Sequence, residues 1–144
     1  MAVSFSYADR PLALKNKRNV KLMIAQIFAE EAVSLADLNY VFCSDEYLLD
    51  LNRRFLQHDY YTDIITFDLS NPTSNDISGE VYVSVDRVRE NAVLNGSAFG
   101  GEALRVIFHG ALHLCGYKDK TKSEIKTMRD REEHYLRLFG KRFA

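Results

Sequence analysis

The chain has 144 residues, and its 19 Lys and Arg against 20 Asp and Glu leave a net charge of −1. Hydrophobic residues make up 47% and charged residues 27%, which excludes a disordered, collagen-like or linker-rich chain and suits a single domain spanning residues 1–144. No apolar run approaches the ~18 residues of a transmembrane helix, and the N-terminus lacks a cationic leader before an apolar block.

Residues 3–7 alternate apolar and polar and predict a half-buried strand. From Asn16 to Val33 the period is helical, with Val20, Ile24, Ile27 and Phe28 on one face. Residues 38–43 are β-branched and aromatic, the mark of a second strand. Ser44 then caps a helix that runs to about Phe55, with Asp45 and Glu46 in its first turn. Residues 56–63 show no period and predict a loop, followed by a strand at 64–69, a turn-rich stretch at 71–76 and a strand at 79–85. A short helix to Asn95 is closed by Gly96, and a longer one covers about Phe99 to Leu114 before Gly116. Thr121 and Glu124 form a capping box for a last helix that Gly140 ends. Four strands with flanking helices predict an α+β domain, its small mixed four-stranded sheet packed with helices.

The chemistry concentrates between His109 and Asp119. His109 and His113 are four apart on a predicted helix, so they differ by roughly 40° around its axis and their imidazoles converge. Further along an unbroken helix a third ligand would lie on the wrong side. Gly116 ends the helix in a left-handed conformation and lets Asp119 return to the same ion. Two nitrogens, one carboxylate and an open position describe a catalytic zinc site, and the same set also suits Ni, Mn or Fe. Cys115 points away from His113 and reads as a buried small hydrophobe; with only Cys43 besides, no disulfide framework arises and a reducing, cytoplasmic setting is expected.

The spacing of 109, 113, 116 and 119 matches the long zinc-peptidase motif, but Gly110 stands where that motif carries its general base. The scaffold is peptidase-like and the peptidase machinery is missing. Two histidines and a carboxylate also occur in the facial triad of iron oxygenases, although no other feature here points to oxidation.

His109-Gly110-Ala111-Leu112-His113-Leu114-Cys115-Gly116-Tyr117 is similar to the signature of the YbeY family of bacterial endoribonucleases, His-Gly-x-Leu-His-Leu-x-Gly-Tyr-Asp-His. Leu51-Asn52 with Asp59, the stretch Thr62 to Phe67, the strand from Ser78 to Ser84, and Glu102 resemble further family segments. The resemblance implies a zincin-like metal helix and cleavage of single-stranded RNA. It also implies 16S ribosomal RNA 3′-end maturation, ribosome quality control, and small-subunit ribosomal proteins and a ribosome-associated GTPase as partners. The chain departs from the signature at Lys118-Asp119, which makes the third ligand a carboxylate. The site is then one charge less positive, so its water should ionise at higher pH. The family's substrate-contacting Arg is replaced by Leu56, with Arg53 and Arg54 as substitutes.

The expected catalytic set is therefore His109, His113, Arg105 and Lys118, with one Zn²⁺ per chain held by His109, His113 and Asp119. Gly116 makes the turn. Arg105 shares the metal face of its helix, Lys118 and Lys120 neutralise phosphate, Arg53 and Arg54 contact RNA, and Tyr60 and Tyr61 stack on bases. The competing readings are a metallohydrolase of a peptide or small ester, and a ribosome-binding factor without turnover.

Overall fold

The computed structural model describes residues 2–143. Its elements in chain order are β1 (Val3–Tyr7), α1 (Lys17–Glu30), β2 (Leu35–Cys43), α2 (Asp45–Phe55), β3 (Ile64–Asp68), β4 (Ile77–Ser84), α3 (Val85–Asn95), α4 (Phe99–Leu114) and α5 (Lys122–Phe143). The sheet order is β1-β2-β4-β3. The first two neighbouring pairs are parallel, while β3 runs antiparallel to β4 with Ile64 opposite Val83. The domain is α+β with a mixed four-stranded sheet, as the pattern of strands and helices predicts.

Alternation along the strands divides the core. Tyr40, Phe42, Val81 and Val83 join α1, α3, α4 and α5 in the main cluster. Cys43, Ile65, Phe67 and Tyr82 face the other way, where α2 covers them with Leu48 and Leu51. Tyr40 is fully buried, and its hydroxyl donates to the Ile107 carbonyl at 2.7 Å, fixing α4 on the sheet. Gly110 brings the helix close: a Cβ there would meet Val81 Cγ1 at 2.8 Å and Ile64 Cδ1 at 2.9 Å.

Several predicted boundaries shift. α1 stops at Glu30 rather than Val33, because Ala32 turns left-handed at φ 57° and the Val33 amide donates back to Phe28. β2 begins at Leu35, which pairs with Ile77 across a register shift. Gly140 does not end the last helix. α5 continues to Phe143, whose ring lies 5.2 Å from that of Phe139 and packs on the main core. That packing outweighs the ~1 kcal/mol penalty of a helical glycine. Ser44, Gly96 and the Thr121–Glu124 box cap their helices as expected, with Glu124 accepting from the Thr121 amide at 2.9 Å.

Candidate metal centre

The end of α4 builds the site. Gly116 sits at φ 106°, its amide donates to His113 O at 3.0 Å, and the Tyr117 amide donates to Leu112 O at 3.0 Å. These two bonds are a Schellman closure, which turns the chain back so that Asp119 faces the helix it has just left. His109 Nε2 lies 3.2 Å from Asp119 Oδ2, and His113 Nε2 lies 3.4 Å from the same oxygen. One donor atom from each of the three residues falls within 4.8 Å of the others, so the group could hold a metal ion.

The outer ring nitrogens decide what the inner ones can do. His109 Nδ1 donates to Glu132 Oε2 at 2.6 Å, and His113 Nδ1 donates to the Tyr117 carbonyl at 3.0 Å. Both partners are pure acceptors, so each neutral ring keeps its proton on Nδ1 and turns an Nε2 lone pair toward Asp119. With both rings neutral, two lone pairs and a carboxylate oxygen converge on one point, an arrangement that a divalent cation would complete. The donor set therefore fits a divalent ion, with the outer partners that metal-bound histidines ordinarily have. Burial alone would depress the His109 imidazolium, but the carboxylates of Glu132, Asp119 and Asp63 outweigh it and raise its pKa above the ordinary value.

Glu132 is 5% exposed and belongs to a relay. Its Oε1 accepts from Arg105 Nη1 at 2.9 Å, and Arg105 also pairs with Glu133. A second brace holds the turn from behind: Tyr117 Oη donates to Glu31 Oε1 at 2.7 Å, and Arg131 Nη2 donates to Glu31 Oε2 at 2.8 Å. Asp63, just before β3, lines the same space, and burial pushes its carboxyl above the usual range, opposed by His109.

The sequence profile described as endoribonuclease YbeY matches residues 7–140. The chain belongs to this family. A Cytophaga hutchinsonii protein named endoribonuclease YbeY is 46% identical over 136 residues, covering 94% of each chain. One of the same name from Bacteroides thetaiotaomicron is 41% identical over 138 residues, covering 96% of this chain and 99% of its own. The solution structure of a Thermotoga maritima protein superposes with a TM-score of 0.65 at 27% identity, over 95% of this chain and 88% of that one.

For a YbeY family member, the sequence-derived site residues are unevenly placed. His109, Asp119 and Arg105 line one groove of about 830 Å³ together with Asp63, Glu102, Arg129 and Glu132. Arg105 is in place, but both ends of its guanidinium are spent on Glu132 and Glu133. Lys118 and Lys120 are exposed, and Lys118 borders a separate, shallower hollow beside Thr127. Arg53 pairs with Asp59, while Arg54 pairs with Asp50 and lies over the Phe55 ring. None of these four cations lines the groove. Tyr60 and Tyr61 are exposed, one bonded to His58 and the other to Glu46. Cys115 is half-buried rather than buried, and burial followed by Glu31 pushes its thiol up to about 12. Glu132 falls in the helical period of Met128 and Tyr135, but the sequence assigns it no role, although an acid on an apolar stripe is a legible sign of function.

Proposed function

We propose that the protein is a metal-dependent endoribonuclease that cuts single-stranded RNA. In this reading it works in the cytoplasm on the 3′ end of 16S ribosomal RNA, with small-subunit ribosomal proteins and a ribosome-associated GTPase as partners. The observation that carries the reading is the convergence of His109 Nε2, His113 Nε2 and Asp119 Oδ2, with the two imidazoles oriented by their Nδ1 partners. Family membership and relatives named as endoribonucleases support RNA as substrate.

His109, His113 and Asp119 would hold the ion, with Zn²⁺ the favoured metal for two imidazoles and one carboxylate. Bound there, it supplies Lewis acidity toward a phosphoryl oxygen and toward water. The chain's own groups do the rest. Glu132 and the Tyr117 carbonyl hold the two Nδ1 protons outward and keep the rings in register. Asp63 lines the groove beside His109 and Asp119 and would accept a proton from the attacking water, a step that its raised pKa favours. Four carboxylates (Asp63, Glu102, Asp119, Glu132) face two guanidiniums (Arg105, Arg129) in the groove, a balance of −2 with neutral imidazoles. A divalent ion brings that balance to zero, so the ion is needed for RNA to approach as well as for cutting. Peptide hydrolysis is disfavoured by Gly110, where no side chain fits to serve as base.

The test is metal analysis of the purified protein combined with cleavage of end-labelled single-stranded and duplex RNA, before and after chelation. Cutting confined to the single strand, lost with the metal and restored by Zn²⁺, supports the reading. Metal-loaded protein that leaves single-stranded RNA intact overturns it. Ribosome co-sedimentation without turnover would favour a binding factor, and casein or ester turnover another hydrolase.

A further inference from the structure

The groove extends well beyond the ligand cluster. Glu102 lies seven residues before His109 on α4, two helical turns or ~10 Å along the axis. It is only 9% exposed, yet it lines the groove. Its Oε2 accepts from Ser97 Oγ at 3.0 Å, and among the described residues no cation pairs with it. A buried carboxylate that is not matched by a positive charge is costly, and Glu102 keeps hydrogen-bonding capacity directed at the groove.

A second uncommitted group stands across from it. Arg129 projects from α5 into the same groove. Its natural partner one turn along, Glu133, is already taken by Arg105. Among the described residues Arg129 has no carboxylate within ion-pairing distance. Between the ligand cluster and Ser97 the groove thus offers one free guanidinium and one acceptor carboxylate. Together they complement a nucleotide, which carries an anionic phosphate and, on some bases, an edge of N–H donors.

We propose that this groove seats the nucleotide next to the scissile phosphate, with Arg129 pairing that nucleotide's own phosphate and Glu102 reading its base edge. Guanine is the favoured base, because N1–H and the N2 amino group both donate toward one carboxylate, whereas uracil offers a single N3–H between two carbonyl acceptors. Arg129 gives affinity without regard to sequence, and Glu102 gives the choice of base. The inference rests on the endoribonuclease reading and assigns a role that the exposed Arg53, Arg54 and Lys118 do not fill from their positions.

The experiment cleaves a single-stranded RNA pool randomised around the cut with metal-loaded wild type, Glu102→Gln, Arg129→Ala and Arg129→Lys. Fragment ends are sequenced, kcat/KM is followed against salt, and metal content and melting temperature are checked for each variant. Glu102→Gln keeps the side chain's size, and Arg129 is exposed, so both variants should fold. Wild type should favour guanine at one position beside the cut. Glu102→Gln should erase that preference and lower kcat/KM for guanine sites about ten-fold. Arg129→Ala should weaken all sequences about ten-fold and reduce the salt slope by roughly one, with Arg129→Lys in between. If wild type shows no base preference beside the cut, or the variants keep both preference and slope, the subsite is wrong while the nuclease reading stands. If metal-loaded wild type cuts no RNA, both fall together.

Discussion

On the face of the sheet that carries α4 and α5, charged groups are sunk into the protein and tied to one another. Glu132 bridges His109 and Arg105, Glu31 joins Tyr117 to Arg131, and each link has a buried or half-buried member. On the opposite face, around α2, the cations sit at the rim. Arg53 and Arg54 make pairs whose members are more than half exposed, beside Phe55 at 61% exposure. The same residue types therefore do different work. Buried links fix the direction of a lone pair, while exposed pairs exchange with water and fix little. The cluster of His109, His113 and Asp119 sits on the first kind of face, and Arg53 and Arg54 sit on the second.

The largest contrast is expected between the ligands and the rim. Asp119→Ala and His113→Ala should each strip the metal and cut RNA cleavage by on the order of 10³-fold, as loss of a main electrostatic stabiliser does. Metal content and single-turnover rates measure this, and full occupancy in Asp119→Ala would place the third ligand elsewhere. Next comes Glu132→Gln, which leaves His109 Nδ1 facing a neutral amide. Metal affinity should drop 10- to 100-fold with the fold intact, read by competition with a chelating dye.

Glu31 tests the brace behind the turn. Burial raises its carboxyl pKa, but hydrogen bonds from Tyr135, Tyr117 and Arg131 outweigh that and leave it below the ordinary value. A group depressed on folding stabilises the protein above its unfolded pKa, ~4.3, and loses that contribution as pH falls through the folded value. Glu31→Gln should cost about 2 kcal/mol at pH 7, with the gap to wild type closing in acid. Urea melts at pH 7 and pH 3 follow it, and a constant gap would show that the charge is irrelevant. The smallest effect belongs to the rim: Arg53→Ala and Arg54→Ala should change kcat/KM by about two-fold or less. A ten-fold loss in either would break the contrast between the faces.

The grouping of His109, His113 and Asp119 was legible because its geometry is local. A four-residue helical step and a glycine stop are properties of neighbouring residues, and Gly116 and Asp119 sit where that reasoning puts them. The four strands were legible for the same reason. What sequence reading could not reach depends on contacts far along the chain. Arg105 shares the helix face of His109, as spacing requires, yet residues 27 and 28 positions later consume its charge. Likewise Gly140 looks like a helix stop until Phe143 finds the core, and Val33 looks helical until Ala32 turns the chain toward β2.

The tight seat at position 110 also limits which single substitutions the metal helix can accept. An acid introduced there alone runs into the stiff, branched Val81 and the tip of Ile64. Trimming those two residues alone leaves a cavity under the helix, at a cost of about 1–4 kcal/mol. Neither order of single steps passes through a well-packed intermediate. Glycine at position 110 is thus held by the packing of α4 on the sheet, and an acid there requires compensating changes at Val81 and Ile64 together.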